Sequence, residues 1–154
     1  MNTLHLHIGS DHGGFLMKQA LITCLSEESI KMTDHGTYGL ASVDYPQIAA
    51  DVAGSVAVDP GSFGLLLCRS GEGMEMAANK VAGSRAALVW NEEVARETRL
   101  DNDANILVLP ADFITLQVAT ACLRRFLATP FSDVARHGRR IAQLTALEKK
   151  DHAS

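Results

Sequence analysis

The sequence predicts an α/β protein of three layers: a five-stranded parallel sheet, helices on both faces, and an extra C-terminal helix. Three observations carry that prediction. Apolar runs of strand length alternate with segments of helical periodicity five times, a pattern that implies a parallel sheet. The run Phe63-Gly64-Leu65-Leu66-Leu67-Cys68 is almost unbroken in its apolarity, as expected of a strand buried on both faces. It ends abruptly in Arg69-Ser70-Gly71-Glu72-Gly73, a turn ahead of a helical stretch, and open parallel sheets bind ligands beyond such strand ends.

Taken in order, Leu4 to Gly9 alternates Leu and His and reads as a strand, closed by the turn Gly9-Ser10-Asp11-His12-Gly13-Gly14. Phe15 to Ser26 places Phe15, Leu16, Ala20, Leu21 and Leu25 near helical spacing. Ile30 to His35 is short and polar, an edge strand. Gly36 to Pro46 is loop, with Pro46 suited to the first turn of the next helix. Gln47 to Val58 repeats Ile48, Val52 and Val56 every four residues and is helical until Pro60-Gly61 breaks it. Strand Phe63 to Cys68 and helix Gly73 to Val81 follow. Arg85 to Trp90 is a strand, Glu92 to Leu100 a short helix, and Ala104 to Pro110 the fifth strand. Thr115 to Leu127 is an amphipathic helix ended by Thr129-Pro130. Gly138 to Lys150 is the last helix, and the final few residues are expected to fray.

The chain has 154 residues, 47% of them hydrophobic and 21% charged, values of one globular domain spanning 1–154. A net charge of −4 argues against a broad nucleic-acid footprint. Cys24, Cys68 and Cys122 show no C-x-x-C spacing, and any disulfide would leave one unpaired, which favours a reducing compartment. Residues 1–9 lack the basic region and long apolar stretch of a secretory leader, and no apolar run approaches the roughly 20 residues that span a bilayer. A cytoplasmic protein without nucleic-acid or membrane partners is expected.

Cys68 is the sharpest candidate for chemistry. Cysteine is ordinarily a small core residue, and that reading suffices for Cys24 and Cys122 inside helices. At a strand end, facing backbone N–H dipoles and nearby arginines, a thiolate is stabilised and can act as base or nucleophile. Ser70-Gly71-Glu72-Gly73 suits an anion, yet it lacks the lysine and spacing of a Walker loop and is not G-x-G-x-x-G. Glu72 is expected to point to solvent or to Arg69. Asp11-His12 follows the first strand; Asp is common in turns, but both side chains can reach the site rim, His12 as a donor to phosphate or hydroxyls. Asp101-Asn102 lies between a helix and a strand and is expected to reach the same rim by a loop, Asn102 holding a substrate oxygen and Asp101 handling a proton. Arg136 and Arg140, one turn apart, can converge on one phosphate through their bidentate forks; the segment can reach a neighbouring subunit's site. His5 and His7 share one face of the first strand and are read as structural, with no second ligand set and no metal-site spacing.

Together these residues resemble the ribose-5-phosphate isomerase B family, which includes galactose-6-phosphate isomerase subunits. The resemblance rests on Gly9-Ser10-Asp11-His12-Gly13-Gly14-Phe15, Asp34-His35-Gly36-Thr37-Tyr38, Val43-Asp44-Tyr45-Pro46, Cys68 to Lys80 ending Ala77-Ala78-Asn79-Lys80, Asn102-Asp103-Ala104-Asn105, and Arg136-His137 with Arg139-Arg140. These segments run in family order over nearly the whole chain. The resemblance implies a Rossmann-like fold, homodimers or dimers of dimers with interfacial sites, and interconversion of aldose and ketose phosphates through a cis-enediol(ate). No metal or organic cofactor is implied. Carried over, Cys68 is the base and Ser70 assists proton movement at the oxygens. The loop Arg69, Gly71, Glu72 and Gly73 forms the enediolate hole. Asp11, His12 and Asn102 bind hydroxyls or phosphate, and Arg136 and Arg140 hold the phosphate. Donors aimed at a developing oxyanion are each worth about 3 kcal/mol.

Three departures stand out. The family has His, assigned to ring opening, where this chain has Asp101. Some members carry a Glu base where this chain has Met74. Arg69 replaces a Gly, and its bulk and charge narrow the pocket or pair with Glu72. The substrate implied first is ribose 5-phosphate/ribulose 5-phosphate, in the pentose phosphate pathway. An isomerase for another sugar phosphate, a tetrulose or hexose phosphate, remains open because of Asp101, as does a catalytically silent sugar-phosphate-binding protein.

Overall fold

A computed structural model describes residues 3–150. The fraying expected at the extreme C-terminus falls on residues 151–154, outside the described residues. The elements run β1 (Leu4–Ser10), α1 (Phe15–Leu25), β2 (Ile30–Asp34), α2 (Tyr45–Val58), β3 (Phe63–Cys68), α3 (Glu72–Ala78), β4 (Ala86–Leu88), α4 (Glu92–Asn102), β5 (Ile106–Pro110), α5 (Leu116–Ala128) and α6 (Ala135–Lys150). The five strands form one parallel sheet in the order β2-β1-β3-β5-β4, with β2 at an edge as its polarity predicts. No helix among the described residues is long and apolar enough to cross a membrane.

Alternation along the strands feeds two cores. Leu6 and Ile8 of β1, Leu65 and Leu67 of β3, and Leu107 and Leu109 of β5 pack under α1, α4 and α5. Leu66 and Cys68 of β3 and Ile106 and Val108 of β5 pack under α2 and α3 with Val52, Val56 and Met74. The central strands are therefore apolar on both faces, the cause of the unbroken run in the sequence. Lys18 of α1 is fully buried. Its ammonium donates to Asp34 Oδ1 and to the Thr37 carbonyl, both at 2.6 Å, tying α1 to the segment that follows β2.

Strand β4 is three residues long against the six expected of Arg85 to Trp90. Its amino end is cut short because the Asn105 side chain, not a strand, accepts the Arg85 N–H at 2.8 Å. Helix α6 begins at Ala135, so Gly138 lies inside it, where a Cβ would meet only open space. Helix α4 runs on through Asn102 and is closed by Asp103 at φ 44. Asp101 and Asn102 are therefore helical rather than on a loop. Arg85 donates to the carbonyls of Asn102 and Asp103, and buried Arg99 donates to Asp103 Oδ1 and the Ala104 carbonyl.

The chain leaves β1 outward to β2 and returns to place β3 on the other side of β1. The strand order reverses at that pair, and a crevice opens above their carboxyl ends.

Candidate active site

The β1/β3 crevice brings together the first two candidate segments. Ser10 lies beside Leu67 in register, and the Asp11 N–H donates to the Leu67 carbonyl at 3.3 Å. Cys68 closes β3, 6% exposed, on the α2/α3 side of the sheet. The Gly71 N–H donates to Cys68 Sγ at 3.1 Å, which fixes the direction of the thiol. That bond requires the chain to fold back within three residues. Gly71 does so at φ 79, and a Cβ there would stand 2.4 Å from Leu88 Cδ1. Glycine is needed at this position both for its backbone and for the space. The Ser70 hydroxyl accepts the Glu72 N–H at 3.3 Å.

Asp11 is buried and its Oδ1 accepts the Gly14 N–H at 3.1 Å, so its carboxylate shapes the turn. His12 Nδ1 accepts the Val43 N–H at 3.2 Å. The ring proton therefore sits on Nε2, which leaves a donor for a ligand. Sequence reasoning missed two supports of this edge. Val43 sets the His12 tautomer. The Tyr45 ring lies over Gly73, where a Cβ would stand 2.6 Å from Tyr45 Cζ. For Val43 and Tyr45 the only earlier signal was the resemblance. Arg69 pairs with Asp112 at 3.3 Å, not with Glu72, and Glu72 is exposed to water.

Asp101 and Asn102 do not reach this rim. The β5 strand that follows them runs parallel to β3, so the end of α4 lies at the amino edge of the sheet, opposite Cys68. Five residue steps of β3, roughly 16 Å, separate the two edges. Asp101 Oδ1 lies 3.5 Å from His137 Nδ1, which also meets Ser132 Oγ at 3.2 Å. Arg136 and Arg140 are exposed at the start of α6 beside that contact, and among the described residues neither forms an ion pair. Asn102 opens onto a cleft of about 550 Å³ between α4, α6 and residues 79–87, lined also by Arg85, Leu144 and Glu148. The candidates thus fall into two groups at opposite edges of one chain: Asp11, His12 and Cys68 to Gly73 at one, and Asp101, Asn102, Arg136 and Arg140 at the other.

The remaining thiols differ. Cys24, expected in the core, is exposed on α1, because its position faces away from the sheet. Cys122 is buried, and burial, helped by the Glu92 charge, pushes its thiol up to about 11. His5 and His7 have a partner set that the sequence did not reveal: Asp59, more than fifty residues away, accepts from both. Burial pulls His7 below the usual imidazole range, although the Asp59 bond opposes it. Asp59 is held below the usual carboxylate range by its bonds from His7 and His5.

The fold and this edge define a doubly wound α/β protein with a thiol and a glycine loop at the strand-order reversal. Residues 6–144 match the Ribose/Galactose Isomerase family. The chain is 36% identical over 151 residues to ribose-5-phosphate isomerase B of Mycolicibacterium paratuberculosis, covering 97% of this chain and 95% of the relative. It is 33% identical over 142 residues to the Escherichia coli enzyme of the same name, covering 92% and 95%. Ribose-5-phosphate isomerase B of Clostridium thermocellum superposes with a TM-score of 0.92 at 37% identity, over 96% of this chain and 99% of that one. The Mycoplasma genitalium protein, solved with bound ribulose-5-phosphate, superposes with a TM-score of 0.91 at 35% identity, over 97% and 99%. The chain belongs to the Ribose/Galactose Isomerase family, and it is a sugar-phosphate isomerase.

Proposed function

We propose that this chain interconverts ribose 5-phosphate and ribulose 5-phosphate, with Cys68 as the base, at sites shared between two copies of the chain. The observation that carries the reading is Cys68 at the carboxyl end of β3, its sulfur fixed by the Gly71 N–H and its neighbour across the crevice the His12 turn. Relatives over nearly the full length bear the ribose-5-phosphate isomerase B name.

In the forward direction Cys68 Sγ takes the proton from C2 of the open-chain aldose, and the electrons form the enediolate. The thiol, whose proton exchanges with solvent during the life of the enediolate, then protonates C1, while a proton passes from O2 to O1 with the Ser70 hydroxyl beside the oxygens. Backbone N–H groups of the 69–73 loop face the developing oxyanion. His12 Nε2–H donates to a substrate oxygen. Arg136 and Arg140 clamp the phosphate bidentately, a remote contact that holds the reacting carbons in place. Within one chain those arginines and Asn102 lie at the wrong edge for Cys68. A second copy supplies them, which makes a homodimer, or a dimer of dimers, the working unit. Exposed Leu144 and Leu147 on α6 give that face an apolar surface to bury. A base that is a free thiol suits a reducing compartment, the cytoplasm.

Cys68→Ala abolishes exchange of the substrate's C2 proton with deuterium from solvent while leaving the circular dichroism spectrum unchanged. Exchange at the wild-type rate in that variant refutes the mechanism.

A second reading has one specific support. Asp101 occupies the place where the resemblance puts a ring-opening histidine, and a carboxylate is a poor proton donor at neutral pH. A short substrate that cannot cyclise, such as a tetrulose phosphate, needs no ring opening. Comparing rates on pentose and tetrose phosphates decides between the two, and a strong pentose preference removes the second.

A further inference from the structure

A second cluster of chemistry-bearing side chains lies away from the crevice, where β1 and β2 meet the end of α2. His5 and His7 project from β1 on the face opposite Leu6 and Ile8. Thr33 stands opposite His7 in the β1/β2 register. Asp59 is the residue that closes α2. His5 Nδ1 and His7 Nε2 both meet Asp59 Oδ2, at 2.6 and 3.1 Å. One ligand atom from each of the three residues lies within 4.8 Å of the others.

We propose that His5, His7 and Asp59 form a binding site for a divalent transition-metal ion, with zinc the best match, separate from the isomerase chemistry.

Four features support it. Two imidazoles and one carboxylate, with a fourth position open to water, are a donor set for zinc. A tetrahedral zinc with ligands at about 2.1 Å places them ~3.4 Å apart, so the 3.1 Å contact already fits and the 2.6 Å contact widens by less than 1 Å. Each ring also has a partner on its other nitrogen: His5 Nε2 meets Thr33 Oγ1 at 2.8 Å, and His7 Nδ1 meets His35 Nε2 at 3.0 Å. Such back-side partners fix the orientation of ligating histidines. Finally, the Asp59 side chain is 39% exposed, which gives an ion its entry, while the two rings are largely enclosed. Lys31 stands beside His5 in register, but it is exposed and its charge lies in water.

The same groups also satisfy one another without an ion. Both rings then donate to Asp59 Oδ2, Thr33 Oγ1 donates to His5 Nε2, and His35 Nε2 donates to His7 Nδ1. Ion binding moves the His5 and His7 ring protons to their other nitrogens, where Thr33 Oγ1 and His35 Nε2 accept them, His35 then carrying its own proton on Nδ1. An ion joins the start of β1 to the end of α2, so it stabilises the folded chain by mass action.

The test is titration of the chelator-treated full chain with cobalt(II) and then zinc(II), read by visible absorption and by thermal unfolding. One equivalent of cobalt is expected to give tetrahedral d–d bands without the thiolate charge-transfer band that Cys24 or Cys68 would produce. Zinc displaces it and raises the unfolding midpoint. Asp59→Asn and His5→Gln each abolish the bands, and Thr33→Val weakens the affinity about tenfold. Absent bands, a thiolate signature, or bands unchanged in both Asp59→Asn and His5→Gln overturn the proposal and leave a hydrogen-bonded network only. No readout uses turnover, so failure here does not touch the isomerase reading.

Discussion

Mixing two impaired variants is expected to restore activity if each site draws on two chains. Cys68→Ala removes the proposed base at the carboxyl edge of β3. Arg136→Ala removes a proposed phosphate ligand near the amino edge, a sheet length away. Roughly 16 Å of strand separates these edges, so one chain cannot bring both to a single substrate. Losing a charge-assisted bond to phosphate costs about 1.5–3 kcal/mol, or roughly 10- to 150-fold in kcat/KM. Cys68→Ala alone is near zero. Equal amounts reassociating at random give mixed dimers as half the population. In a mixed dimer one site carries both lesions and the other carries neither. One site in four is then intact, so the mixture recovers about a quarter of the wild-type rate at equal total protein. The assay is a coupled isomerase rate on subunits dissociated, mixed and reassembled, with differently tagged copies captured in tandem to count mixed dimers. A rate equal to the mean of the two parents, in a sample where mixed dimers are present, refutes the shared site. Failure to form any dimer refutes the assembly itself.

Two further outcomes test the fold. Lys18→Met removes a buried ammonium that bridges Asp34 and the Thr37 carbonyl. Asp34 is partly exposed and keeps the Gly36 N–H, so it rehydrates in part. The loss is about 2–3 kcal/mol, or roughly 4–12 °C in Tm for a chain of this size, and a Tm within a degree of wild type in a thermal melt contradicts it. Cys122, held near 11 by burial and the Glu92 charge, is expected to react last with a maleimide at pH 8, and exposed Cys24 first, as mass-mapped labelling reads out. The sign follows for stability: above the ordinary thiol value of 9.0 the unfolded chain holds fewer protons than the folded one, so Cys122 lowers stability as pH rises from 9.0 to about 11. Equal labelling rates for the two thiols contradict its enclosure.

The architecture was legible because each element carries its own period. The doubly buried β3 reads as an apolar run, β2 reads as an edge through its polar residues, and Pro46 marks the first turn of α2. The crevice half of the site was legible for the same reason, since Cys68 to Gly73 and Asp11-His12 are local strand-to-turn signals. The other half was not. Asp101 and Asn102 look like loop residues in sequence, but α4 is held through Asn102 by Arg85, which reaches in from the residue before β4, and by Arg99, whose partner Asp103 caps the helix. The His5, His7 and Asp59 cluster depends on contacts 52 and 54 residues apart, which no periodicity can announce.

The charges of the 69–73 loop bear on whether the crevice still suits an anion. In sequence, Arg69 threatened to crowd the site or to pair with Glu72. The structure gives Arg69 a place outside the loop. Its stem runs across Gly13, where a Cβ would stand 2.5 Å from Arg69 Cγ, and its guanidinium reaches Asp112. The missing side chain at position 13 accommodates the bulk that position 69 adds, and Asp112 takes up its charge. Glu72, left without the arginine, faces water, where its charge is largely screened from the loop interior. What remains directed at Cys68 is the Gly71 N–H. Arg69 and Glu72 therefore alter the rim of the crevice more than its centre, and the departure at Asp101 is the one on which the second substrate reading rests.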